Sequence, residues 1–431
     1  MRAKFISLCV LLGLLWPTVT CEKFDVPQAM RSATVPPTAT PATPLEVETP
    51  VARPSVPLQF ISEWSNTKKL ASSILGADLN MTCPQQAYIV DPSLEMVIQG
   101  EFPRLRYFAF VAYDERNEPI ATLRDEDIVP DPGSTNPYLP GSDWNTKERR
   151  YTITVRFSPP PATSSGGKHS GSHTAHGNFL YLGTTAAGGA NSGGRLVYRR
   201  YLPSMGLDVD GGADEPIVYY RKVADGTFAK PPQAKASDLP EQDLRQFVPD
   251  PDIGPYTLDG VQWRRWAQET RQQTSTETIY LTAGIKADPA RLLLVRWKAP
   301  TFPDTCRNKG IKGGEQARYW SMSFATKDQL TTAFSLPDCQ AAIGSDGYVN
   351  MVVGFGAPRP TKATAEYGYT WIDMKYHPVS TLIFRILLPS KGLSLPLQTI
   401  PSGGLVTDQL GEYLPVARYV SLEEFDQQPI R

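Results

Sequence analysis

The feature that most constrains this chain is that it repeats itself. Leu196-Val197-Tyr198-Arg199-Arg200-Tyr201-Leu202-Pro203-Ser204-Met205-Gly206 returns as Leu382-Ile383-Phe384-Arg385-Ile386-Leu387-Leu388-Pro389-Ser390-Lys391-Gly392. Leu, Arg, Leu, Pro, Ser and Gly recur at identical spacing, while Val exchanges with Ile and Tyr with Phe. Other segments correspond in the same order. Arg106-Tyr107-Phe108-Ala109-Phe110 answers Arg318-Tyr319-Trp320-Ser321-Met322, and Tyr151 to Phe157 answers Tyr348 to Val353 with a possible one-residue slip. Asn178 to Tyr181 corresponds loosely to Tyr369 to Ile372. A tandem duplication of this kind requires one supersecondary plan, used twice.

The composition says what plan. The 40 prolines and 33 glycines fall between short apolar runs instead of gathering in one tract. Long helices do not tolerate that punctuation, whereas strands joined by turns do. The runs themselves are β-branched or aromatic and bounded by Pro, Gly, Asp or Asn, the signature of strands. Each copy ends on a strand that stops at Pro-Ser-x-Gly, because proline cannot donate to a ladder and glycine turns the chain. The fold class expected is mainly β: two tandem antiparallel β-sandwich or jelly-roll-like modules, with a few short helices in the linkers.

The organisation read from the 431 residues runs as follows: 1–21 signal peptide, 22–58 Pro/Thr-rich linker, 59–86 short helical lead-in, and 87–220 first β module. Then come 221–285 as a polar linker with short helices at Asp243 to Phe247 and Val261 to Trp266, 286–421 as the second β module, and 422–431 as a tail. Arg2 and Lys4 precede an almost wholly apolar run from Phe5 to Trp16 and small residues from Thr18 to Cys21. That is the plan of an export signal, and it is short for a membrane span. Cleavage falls after Thr20 or after Cys21; the first would leave Cys21 at the start, open to a lipid anchor, although the residues before it match such signals poorly. No other run reaches the roughly 20 apolar residues a membrane helix needs. The expected location is secreted, extracellular or in the cell envelope.

Charge and cysteines narrow the chemistry. Lys and Arg number 43 against 44 Asp and Glu, a balance that argues against nucleic acid as the partner. Cys306 and Cys339 lie in one module and flank one strand, so an exported chain is expected to bridge them. Cys83 is then left over. Asn80-Met81-Thr82 is a glycosylation sequon with meaning in a eukaryotic host. His169, His173 and His176 have spacings that could serve a metal, but Gly and Ser dominate their surroundings. The reading taken is a loop between strands, with no metal and no cofactor.

Arg199 and Arg385 are the candidate ligand-binding residues, with Tyr198 beside the first. Each arginine sits inside an apolar strand at the same module position. Buried, such a guanidinium must be paired, either with a turn aspartate such as Asp114, Asp131 or Asp346, or with the carboxylate, sulfate or phosphate of a ligand. No Gly-x-Ser-x-Gly, His-Glu-x-x-His or phosphate-loop motif is present. The expected function is a non-catalytic protein that binds a ligand or partner. The alternative is an enzyme acting on a polysaccharide or small acid in a groove between the modules.

Arg106-Tyr107, then Asp131 to Pro137, then Leu196 to Gly212 together resemble a group of uncharacterised exported proteins, known as domains of unknown function. The likeness covers both modules. It implies a tandem β-sandwich and export, and brings no activity or site residues with it.

Overall fold

Strands buried on both faces show where the two copies of the module meet. The structure is a computed structural model that describes residues 55–64, 78–161, 171–174, 177–232, 260–266, 277–326 and 331–427. Every residue of the strand Leu105–Asp114 is buried, as a strand with a core on either side must be. Phe108, Phe110 and Ala112 enter the core of the first copy, while Tyr107, Ala109, Val111 and Tyr113 alternate with them into a second cluster. That second cluster also takes Tyr319 and Leu387 from the second copy. It is the seam between the modules.

Among the described residues the strands form four sheets, of seven, five, six and four strands. The first copy pairs the seven- and five-stranded sheets, and the second pairs the six- and four-stranded sheets. In the first, Gly193–Pro203 lies antiparallel to Leu105–Asp114, which in turn pairs with Pro119–Arg124. In the second, Val379–Leu387 lies antiparallel to Tyr319–Thr326, which pairs with Thr332–Pro337. The five- and six-stranded sheets carrying these strands face each other at the seam. Both copies also add one parallel strand to an otherwise antiparallel sheet: Gly177–Tyr181 beside Arg150–Arg156, and Tyr369–Asp373 beside Tyr348–Gly354.

The mainly β, sandwich-like class is as expected, and smaller details differ. Ile153 and Val155 hold the core places that Met351 and Val353 hold in the second copy, so the Tyr151 and Tyr348 segments align with a one-residue slip. Val261 to Trp266 contains a strand, Trp263–Arg265, where a helix was expected. Trp263 is buried in the core and donates from its indole to the Pro415 carbonyl at 2.5 Å. Trp64 does the same in the first copy, to Pro216 at 2.8 Å. Of the lead-in, the described residues contribute a 3-10 turn at Leu58–Phe60 and short strands at Ile61–Ser62 and Met81–Thr82, while the expected helical stretch at 65–77 lies outside the described residues. Thr278–Gly284 is a full strand of the six-stranded sheet. The expected helix at Asp243 to Phe247 lies outside the described residues.

The seam is held by a reciprocal exchange of charges. Arg106 donates to Asp338 at 2.6 Å and to the Thr305 hydroxyl at 2.8 Å, across the modules. Arg318, its counterpart in the repeat, donates to both oxygens of Asp125 at 3.0 and 3.1 Å and to Glu126 at 2.6 Å. Asp125 and Asp338 occupy matching 3-10 turns after matching strands. Each also accepts a backbone bond from the strand of its own copy's arginine, Phe108 N–H at 3.1 Å and Trp320 N–H at 3.2 Å. In this pattern residue i touches j and the copy of j touches the copy of i, the self-complementary contact of a symmetric dimer. The Cys306–Cys339 pair lies at disulfide distance, with Cα atoms 6.6 Å apart, and ties the Thr305 turn to the Asp338 turn.

Side chains of Arg106, Asp338 and Asp125 have no exposed surface. Burial pushes the Asp125 carboxyl up to about 7 and that of Asp338 up to about 6, against the pull of Arg318 and Arg106. Removing one partner of such a pair strands the other charge, and costs about 3–5 kcal/mol. Arg106→Met is therefore expected to lower unfolding free energy in urea by about that much. Adding Asp338→Leu should recover most of the loss, a coupling that a double-mutant cycle reads directly.

Candidate functional site

Arg199 and Arg385 turn out to be seam residues. Along Gly193–Pro203, Leu196 and Tyr198 enter the first core while Val197 and Tyr201 enter the seam cluster, which puts Arg199 on the seam face. Along Val379–Leu387, Phe384 and Ile386 are core and Leu387 is seam, which puts Arg385 there too. Each is 4 % exposed. Arg199 donates to the Tyr113 hydroxyl at 2.6 Å, and Arg385 to the Ser323 hydroxyl at 2.6 Å while lying over the Tyr280 ring. Tyr198 points the other way, stacked on Phe110 at 4.8 Å inside the core. The structure does not bring these three into one open site. Asp346, a turn aspartate considered for pairing, is taken by Arg296.

Other sequence candidates fall as follows. Asn80 is half-buried, and its amide donates to Asp78 at 2.9 Å and reaches the Tyr319 hydroxyl at 3.4 Å. A glycan on that nitrogen would displace bonds that close the seam. His173 lies on a strand, Gly171–Thr174, that pairs with Gly177–Tyr181, so part of the expected loop is a hairpin. His169 and His176 lie outside the described residues. Among the described residues no three His, Cys, Asp or Glu gather as a metal site. Burial pushes the Cys83 thiol up, with Arg199 and Arg200 pulling the other way.

Among the described residues a concavity lies on the opposite side of the second module, on the outer face of its four-stranded sheet. It is a hollow of about 380 Å³ whose lining includes Leu294, Arg296, Asn350, Tyr369, Val416 and Arg418. Alternation builds it: Leu293, Val295 and Trp297 enter the core, so Leu294 and Arg296 face outward. On the neighbouring strands Asn350 stands opposite Arg296, and Arg418 stands opposite Leu294. Gly411, Glu412 and Leu414 complete the rim from the loop before the Val416–Val420 strand.

One wall of the hollow is rigid. Arg296 donates to Asn350 at 2.9 Å and to Asp346 at 2.9 Å, and its guanidinium lies 3.8 Å above the Tyr348 ring. The Tyr348 hydroxyl bonds Glu412, which also accepts from Lys298 at 3.0 Å. The Tyr348 bond first, then Lys298, hold the Glu412 carboxyl below the usual range. In the first module the matching registers carry Gln99, Thr152 and Tyr219, and Tyr219 packs edge-on against Phe228 at 5.5 Å. The two copies thus differ in chemistry on this face.

No residue of the hollow stood out in the sequence as a site candidate, although Tyr348, Asn350, Met351 and Tyr369 lie in repeated segments. The lining residues come from distant segments, and the alternation of Leu292–Lys298 would have marked Arg296 as outward-facing without saying what lay beside it.

No family model matches the chain, and no curated protein matches it. Among solved structures it is similar to an uncharacterised protein from Burkholderia cenocepacia, at 13% identity and a TM-score of 0.49, covering 82% of this chain and 79% of that one. It is also similar to the VPA0106 protein from Vibrio parahaemolyticus, at 12% identity and a TM-score of 0.41, covering 85% and 92% respectively. These neighbours bring no activity to the chain.

The placement of Arg199 and Arg385 predicts a structural role. Arg199→Ala and Arg385→Ala should each lower unfolding free energy by about 2–4 kcal/mol through lost bonds and a cavity at the seam. Chemical denaturation checks this, with wild-type-like unfolding of both variants as the contrary result.

Proposed function

We propose that this chain is an exported, non-catalytic binding protein whose ligand site is the hollow on the outer sheet of the second module. The observation that carries the reading is the state of Glu412, the one carboxylate among the lining residues. Glycoside hydrolysis needs two carboxyl groups, one of them held protonated as an acid. Glu412 is held ionised, and Tyr348 and Lys298 occupy its oxygens. Such a group braces a wall and is not the protonated acid that hydrolysis needs. Between the modules, where the alternative reading would place a catalytic groove, Arg199 and Arg385 are buried against Tyr113, Tyr280 and Ser323.

Two facts are compatible with export. Cys306 and Cys339 lie at disulfide distance, an arrangement at home in oxidising compartments. No helix among the described residues is long and apolar enough to cross a membrane.

Thermal unfolding of residues 22–431 against a panel of sugars, organic acids and divalent metals, with and without chelator, tests this reading. A ligand that binds only the native state raises the midpoint by mass action. The expected result is a shift with one ligand class that persists in chelator and is accompanied by no turnover of that ligand. Conversion of the ligand to product would contradict it, and so would a flat response to the whole panel.

A further inference from the structure

Resting on that reading, we propose that the hollow takes a compact monocarboxylate with an apolar body, its carboxylate seated on Arg418. The charge balance of this face points to an anion. Arg296 is answered by Asp346 and Lys298 by Glu412. Arg418, exposed on the Val416–Val420 strand, has no carboxylate within ion-pair reach among the described residues. One positive charge is left over in the lining, so a single negative charge completes it. A guanidinium presents a planar fork that fits a carboxylate with two parallel bonds.

The rest of the lining sets the body of the ligand. Leu294 lies directly across the ladder from Arg418, and Leu414 and Val416 also line the hollow. Val416 is 69% exposed, an apolar side chain left open beside the cation. The polar groups of the opposite wall are spent on each other, since Arg296 bonds Asn350 and Tyr348 bonds Glu412. A sugar ring would find few partners for its hydroxyls there, whereas a hydrocarbon ring needs none. A volume of about 380 Å³ is near the small end of ligand pockets, enough for one ring and its carboxylate.

The experiment is a ligand-observed NMR titration of residues 22–431 with three probes: benzoate, benzyl alcohol and glucuronate. Benzoate is expected to bind, to weaken as salt is raised, and to weaken about fivefold in Arg418→Gln. Benzyl alcohol binding as tightly as benzoate would overturn the carboxylate, and so would unchanged benzoate binding in Arg418→Gln. Glucuronate binding in preference to benzoate would overturn the apolar body. A second variant, Val416→Trp, separates these failures from failure of the site itself. It fills the hollow from an exposed strand position, and is expected to abolish binding of whichever probe binds. Unchanged binding in Val416→Trp would move the ligand elsewhere and remove the hollow as the site. Absence of binding by all three probes would overturn the ligand class proposed here, while the broader panel still decides whether the protein binds anything.

Discussion

The Arg106 guanidinium has no exposed surface, and the carboxylate that meets it, Asp338, belongs to the other module. The same holds in reverse at Arg318. These two pairs fix how the two sheets face each other, because neither arginine can keep its partner if the modules slide. The neighbouring hydroxyls follow the same rule, with Tyr319 donating to Asp78 at 2.8 Å and Tyr107 bonding Glu277. Burying charge in this way is a poor source of net stability and a strong source of geometric definition. The stability comes from the aromatic and aliphatic side chains on either side, at roughly 1.5–3 kcal/mol for each large side chain fully buried.

The duplication shows which features belong to the fold and which do not. Leu202 and Leu388 both adopt positive φ, at 48° and 45°, just before the proline that ends their strands. A left-handed leucine costs about 1–2 kcal/mol, yet both copies keep it. In each case the strained residue donates its N–H to a carbonyl of a neighbouring segment, Asn80 and Glu277 respectively, at 2.8 Å. The tryptophan anchors, the parallel strands and the arginine–aspartate exchange are kept in the same way. The outer sheet faces are not: Gln99, Thr152 and Tyr219 stand where Arg296, Asn350 and Arg418 form the hollow. What the two copies share holds the modules together, and what they do not share is where a ligand-specific surface can arise.

Much of this was legible in the residues. The repeat, the strand character and the Cys306–Cys339 pairing follow from spacing and composition. Arg199 and Arg385 stood out because an arginine in an apolar strand is conspicuous. Arg106 and Arg318 open the repeated segments, yet their role as paired charges was not legible, since it depends on Asp338 and Asp125, far along the chain in the opposite module. The strand at Trp263–Arg265 was misread because two tryptophans and two arginines mimic a helical stripe, while tertiary burial of Trp263 decided the outcome. The hollow was invisible for a geometric reason: its lining is assembled from segments near 294, 350, 369 and 416, and only sheet register brings them together.

The account stands on the two modules behaving as one body. Differential scanning calorimetry of residues 22–431 tests that most directly. If the charge exchange and the seam cluster couple the modules, unfolding is a single transition whose calorimetric and van 't Hoff enthalpies agree. Two separated transitions, each with the enthalpy of one module, would show that the seam does not couple them and would contradict the account.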